Sequence, residues 1–277
     1  MRALAAVVLL GLFAATAAAA GPPLPTPQSG SAGVAVPGGP RYVTARAGDD
    51  TVVRASDGRR ARIPGRWAVP AVTIAGGTTG LSADGSTLVL ARVERSYPPP
   101  DTRLAVLDAR TLTVRREIGF KSFVTVDAVA PDGETAYLIR YRGGDPLDYQ
   151  VRALDTRTGA LDPKPVVDPR EPDEQMGGLP FARALSRDGR WAYTLYGGGE
   201  EVFIHALDTV GRTAACIDLE MLHPRDDLSM LSLHVSGRVL RVRDGDEVLA
   251  DVDRRTFAVA EPWEQVYADV LSALGWA

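Results

Sequence analysis

Short runs in which apolar and polar residues alternate fill most of the chain, and these runs recur in a fixed order. Segments beginning at Gly80, Ala128 and Ala184 align with one another. Each has an apolar strand, an Asp-Gly turn, a second strand, a loop, a third strand ending in Leu-Asp, a turn and a fourth strand. Asp-Gly between alternating apolar runs is a strong hairpin signal, because the tightest turns need positive φ at their central residues. Two weaker copies start at Ser31, with Pro37-Gly38 at the turn, and at Ser232, with Ser236-Gly237 there. The turn glycines Gly38, Gly85, Gly133, Gly189 and Gly237 are 47, 48, 56 and 48 residues apart. This spacing predicts an all-β chain: a five-bladed β-propeller of four-stranded antiparallel blades over residues 31–261. Leu81, Val129 and Leu185 share one position of the first strand, and Val89, Tyr137 and Tyr193 share one of the second; all six are predicted core.

The two ends break the pattern. Behind Arg2 an apolar run reaches Ala20 and closes in small residues before Gly21-Pro22-Pro23. That is the pattern of a secretory signal peptide over residues 1–20, so the mature protein is expected outside the cytoplasm and free of the membrane. A retained anchor is the rival reading, since about 18 apolar residues just span a bilayer. Residues 21–30, GPPLPTPQSG, read as a flexible leader. Over residues 262–277, Pro262 followed by Trp263, Val266, Tyr267, Val270, Leu271 and Leu274 predicts a short C-terminal amphipathic helix docked on the propeller. A competing alignment of Tyr267–Ser272 with Phe181–Ser186 makes this tail a closing strand.

Tyr42-Val43-Thr44, the turns LSADG, APDGETAYL and LSRDGRWAYTL, and Leu154–Gly159 together resemble the YVTN-type repeat of secreted propellers. The resemblance covers about residues 31–260. It implies the propeller fold and leaves function open, because such repeats serve scaffolds, lectins and lactonase-like enzymes alike. The first and fifth units lack the turn aspartate, and Ala45 stands where asparagine is usual. Five blades are fewer than the family commonly shows, so a further reading has the chain pairing with another to close a larger ring.

Composition narrows the function classes. The 277 residues carry 31 basic and 35 acidic side chains, a net charge of -4, which gives no footprint for nucleic acid. One cysteine, Cys216, cannot staple the fold. The histidines His205, His223 and His234 share no ligand spacing, and no G-x-S-x-G elbow is present, so no metal, no cofactor and no catalytic serine are expected.

Two places remain where chemistry is expected. Long connections between second and third strands and between blades carry Tyr97, Tyr141, Tyr149, Arg142, Arg170, Glu174, His223 and Asp226, which suit a glycan or a protein partner. Two residues before the repeated first-strand Leu or Val stand Thr79, Asp127 and Arg183. If that position faces the axis, Asp127 and Arg183 from adjacent blades meet in a narrow funnel, as a ligand site or as a structural ion pair. The expected function is a secreted, monomeric, non-catalytic binding module that uses its long-loop face. The alternative is a lactone or glycan hydrolase using Asp127 and loop carboxylates.

Overall fold

A computed structural model describes residues 32–261, apart from 95, 97, 143–147, 174–175, 199–200 and 223–226. The signal peptide, the leader and the C-terminal helix expected from the sequence lie outside the described residues.

The chain forms five antiparallel sheets in sequence order. Sheet one holds β1 (Tyr42–Ala47), β2 (Asp50–Ala55) and β3 (Arg60–Ile63). Sheet two holds β4 (Trp67–Ala68), β5 (Thr87–Arg92), β6 (Thr102–Asp108) and β7 (Thr113–Phe120). Sheet three holds β8 (Val124–Val129), β9 (Thr135–Tyr141), β10 (Tyr149–Asp155) and β11 (Leu161–Val166). Sheet four holds β12 (Leu179–Leu185), β13 (Trp191–Gly197), β14 (Phe203–Asp208) and β15 (Thr213–Asp218). Sheet five holds β16 (Leu231–Ser236), β17 (Val239–Asp244), β18 (Glu247–Asp253) and β19 (Val259–Ala260).

Among the described residues sheet one has three strands, and its innermost segment makes one bridge, in which Val34 and Tyr42 exchange backbone hydrogen bonds of 2.9 and 2.8 Å. Pro40 has no N–H to extend this bridge toward the turn. Sheet two also breaks its inner strand. After β4 the chain leaves the sheet at Pro70, turns through Gly76 at φ 85° and returns at Gly80. This excursion reaches across the assembly: Ile74 N–H donates to Pro180 O of sheet four at 2.9 Å. Thr78 Oγ1 donates to Gly33 O of sheet one at 2.7 Å, and Thr79 Oγ1 to Asp127 O of sheet three at 2.9 Å. One short segment therefore ties four sheets together.

The strands' period of two sorts the core. Leu88 and Leu90 pack toward sheet one, whereas Val89 and Ala91 pack toward sheet three. Tyr137 and Ile139 face sheet four, and Ala136 and Leu138 face sheet two. Four apolar clusters join sheets one to two, two to three, three to four, and four to five. Among the described residues no cluster joins sheet five to sheet one, so the array has the blade stacking of a β-propeller without closure.

Two repeated devices explain the sequence pattern. In each Leu-Asp turn the aspartate accepts two backbone N–H groups, as Asp108 does from Arg110 (2.9 Å) and Thr111 (3.1 Å) and Asp208 from Val210 (3.0 Å) and Gly211 (2.9 Å). These are Asx turns, for which short acidic side chains are suited. The second device is a tyrosine latch. Tyr42 Oη donates to Ala109 O at 3.0 Å, Tyr137 Oη to Thr209 O at 2.7 Å, and Tyr193 Oη accepts from Arg254 Nε at 3.0 Å. Each latch runs from a second strand to the Leu-Asp or Val-Asp turn of the next sheet. Burial pushes the Tyr137 phenol up to about 12, so it stays a donor at neutral pH.

Gly133 shows how closely the turns interlock. It has φ 74°, and a Cβ there would lie 2.2 Å from Thr87 Oγ1 and 2.6 Å from Thr87 Cβ of sheet two. Gly133→Ala is expected to cost about 2 kcal/mol or more, whereas Gly237→Ala, with open space around it, should cost about 1 kcal/mol. Urea unfolding of the two variants checks the difference; equal losses would contradict the interlock.

Candidate functional site

Asp127 sits at a bulge in β8, where the register with β9 shifts between Val126 and Ala128. Such a bulge re-aims the extra residue's side chain. Arg183 lies on β12, just after a second shift between Pro180 and Ala182. The two irregularities bring the pair together: Arg183 Nη1 donates to Asp127 Oδ1, and Nη2 donates to Asp127 O at 2.6 Å. Arg183 Nη1 also donates to Thr194 Oγ1 at 2.7 Å. Asp127 is 1% exposed and the Arg183 side chain 8%. Thr79 is buried beside them through its bond to Asp127 O. Thr79, Asp127 and Arg183, singled out in the sequence by their shared offset, are thus one hydrogen-bonded unit.

Behind this unit the junction of sheets three and four is lined by aromatic rings. Phe123 stacks on Tyr141 with centroids 4.7 Å apart, Tyr141 meets Tyr149 edge-on at 5.8 Å, and Tyr149 lies 5.8 Å from Tyr196. Tyr196 stacks on Phe203 at 5.4 Å and meets His205 edge-on at 6.3 Å. Tyr149 is buried, and its hydroxyl donates to Gly177 O at 3.0 Å. Tyr141 is half-buried. Their rings support the base of the long connections from inside. Burial pushes the Tyr141 phenol up to about 12 and the Tyr149 and Tyr196 phenols well above their usual value, with Asp127 adding to each.

In the same junction both ring nitrogens of His205 have no hydrogen-bond partner among the described residues. Burial drives His205 down to about 4, against a smaller opposing pull from Asp127, so the imidazole is neutral at physiological pH. In the register of sheet four, Arg183 pairs with Thr194, Thr194 with His205, and His205 with Cys216. One polar row therefore crosses all four strands. It ends at buried Asp168, which accepts Cys216 N–H at 3.0 Å and pairs with Arg170 at 2.5 Å. Sequence reasoning missed Thr194, Tyr196 and His205 as members of the site. The signal available was one polar residue per strand at mutually opposite positions.

The long connections are described in part. Arg142 Nε donates to Asp148 Oδ1 at 2.7 Å, closing the base of one of them. Tyr97, Glu174, His223 and Asp226 lie outside the described residues. Among the described residues no group of three or more His, Cys, Asp or Glu is placed to hold a metal ion.

Neither a family profile nor a curated protein matches the sequence. Solved structures with a similar trace include TolB from Acinetobacter baumannii at 14% identity and TM-score 0.40, covering 76% of this chain and 48% of that one. AztD from Citrobacter koseri follows at 12% identity and TM-score 0.40, covering 80% and 58%. A functionally unknown protein from Desulfotomaculum acetoxidans is similar at 13% identity and TM-score 0.49, covering 80% and 65%. The chain spans about half the length of TolB and 58% of AztD.

Proposed function

We propose that this protein is a monomeric, non-catalytic binding module built from YVTN-type repeats, which works outside the cytoplasm and meets a protein or glycan through its long connections. The observation that carries the reading is the state of Asp127. A hydrolase acting at the axis needs a carboxylate whose proton affinity can serve general acid or base catalysis. Asp127 is instead buried, bonded to Arg183 through both its carboxylate and its carbonyl, and further tied to Thr79. Using it as an acid or base means first breaking a buried ion pair. The aromatic stack from Phe123 to Phe203 is suited to mounting loops rigidly, as binding surfaces require. Under this reading Tyr97, Glu174 and His223 contact the partner, while Tyr141 and Tyr149 hold the loops in place. No helix among the described residues is long and apolar enough to cross a membrane.

The full chain, incubated with a panel of lactones and soluble glycans, is expected to release no product. Turnover that vanishes in folded Asp127→Asn would contradict the reading. Expressed with its own N-terminus in a secreting host, the chain is expected in the medium with residues 1–20 removed, as read by intact mass.

A further inference from the structure

The Asp-Gly turns lie at the end of the sheets opposite the long connections. A recess of about 240 Å³ opens there, walled by the innermost segments of sheets one to four. Val34, Val36, Leu81, Val129 and Leu185 make it apolar. Leu185, expected in the core from its repeat position, is instead 50% exposed and lines this recess, because the recess at its end of β12 leaves it uncovered. Arg41 and Arg187 stand in the same wall, and no Asp or Glu lines it. In a chain with more acids than bases, an acid-free wall carrying two guanidinium groups is a selective surface.

Carboxylates of the adjoining turns are engaged within those turns. Asp84 accepts from Ser82 Oγ at 2.6 Å and Ser86 N–H at 2.9 Å, and Asp188 accepts from Ser186 Oγ at 2.6 Å. Arg41 uses Nη1 to hold Ala32 O at 2.9 Å, which leaves the rest of its fork. Arg187 makes no hydrogen bond or ion pair among the described residues.

We propose that this recess binds a small amphipathic carboxylate, with its tail against Leu81, Leu185 and Val34 and its head on Arg187 and Arg41. Tail burial removes the exposed face of Leu185 from water, and the guanidinium groups supply charge-assisted hydrogen bonds in the fork geometry a carboxylate matches. The volume is below the roughly 300–1,000 Å³ of drug-sized pockets, which sets the ligand at roughly ten non-hydrogen atoms. Thr79 of the Asp127 unit also lines the recess, but the long connections lie at the other end of the sheets, so failure of this site would leave the reading of that face untouched.

Calorimetric titration of the full chain with octanoate tests this, with octan-1-ol and octylammonium as neutral and cationic probes of equal length. Octanoate is expected to bind below about 1 mM, octan-1-ol about tenfold or more weakly, and octylammonium not at all. Arg187→Gln and Leu185→Asn, both at solvent-facing side chains, should each weaken octanoate by about tenfold while their melting midpoints stay within a few degrees of wild type. Val210→Asn, exposed elsewhere, should leave binding unchanged. The proposal is overturned if octanoate gives no heat, if octan-1-ol binds as tightly, or if Arg187→Gln binds octanoate as wild type does.

Discussion

Asp127→Ala is expected to destabilise the protein by about 3–5 kcal/mol, the largest effect of any single substitution outside the apolar core. Removing the carboxylate leaves Arg183 charged and desolvated between sheets three and four, with Thr194 Oγ1 and the residue 127 carbonyl as its remaining partners. A buried charge that loses its counter-ion forfeits more than the pair contributes, because the cost of taking it out of water is no longer offset. For a chain of this size the melting midpoint should fall by roughly 10 °C, at about 2–4 °C per kcal/mol. Thr79→Val removes one hydroxyl bond to the same carbonyl and should cost about 1 kcal/mol. The two variants are compared by urea unfolding at neutral pH. A loss below about 1 kcal/mol for Asp127→Ala would mean that water reaches Arg183 and the pair is not sealed between the sheets.

The second large effect is a dependence of stability on pH that belongs to one histidine. His205 is buried with neither ring nitrogen bonded, and burial holds it down to about 4. In the unfolded chain it titrates near the ordinary imidazole value of 6.5. Between these values the unfolded state binds a proton that the folded state refuses, so stability is complete above about pH 6.5 and declines as the pH falls toward about 4. The full decline from this group is about 3 kcal/mol, taking about 1.4 kcal/mol per pH unit of separation. His205→Phe keeps the ring against Tyr196 and removes the titration, so its stability should lack the histidine's share of the decline over the same window. The turn aspartates act in a different range. Hydrogen bonds from Arg115 and from the backbone hold Asp108 below the usual carboxylate value, and backbone and Arg238 bonds bring Asp253 to about 2. Their contribution is present above the unfolded carboxylate value near 3.8 and is lost as the pH falls below it. The difference curve between wild type and His205→Phe between pH 4 and 6.5 isolates the histidine; a flat difference would contradict its burial.

How far the sequence spoke for the structure can be judged at particular residues. The Asp-Gly and Leu-Asp turns stand where they were expected, but the Asp-Gly turns are of another type: only the glycine takes positive φ, because its N–H closes the turn on the residue three before it, as Gly85 does on Ser82 O. The pairing of Asp127 with Arg183 was also legible. Both occupy the same offset in successive repeats, so neighbouring sheets bring them side by side. The excursion from Pro70 to Gly80 was not legible, since the partner of Ile74 lies more than a hundred residues later, at Pro180, and no local signal marks it. Tyr149 illustrates the limit of loop-based reasoning. It begins a strand after a polar loop, yet Tyr196 of the next sheet covers it, and alternation within one strand does not say what packs above. The place of His205 is not legible in the sequence, because its row with Arg183, Thr194 and Cys216 exists only in the strand register.

The claim on which the rest depends is that Asp127 joins two sheets and does no chemistry. A double-mutant cycle on Asp127→Asn and Arg183→Met, read by urea unfolding, measures that joint directly. The account predicts a coupling energy of about 1.5 kcal/mol or more, with the double variant more stable than the sum of the single losses implies, because no lone charge is left buried. Additivity within about 0.5 kcal/mol would show that the two side chains act independently, and Asp127 would then be a free axial carboxylate.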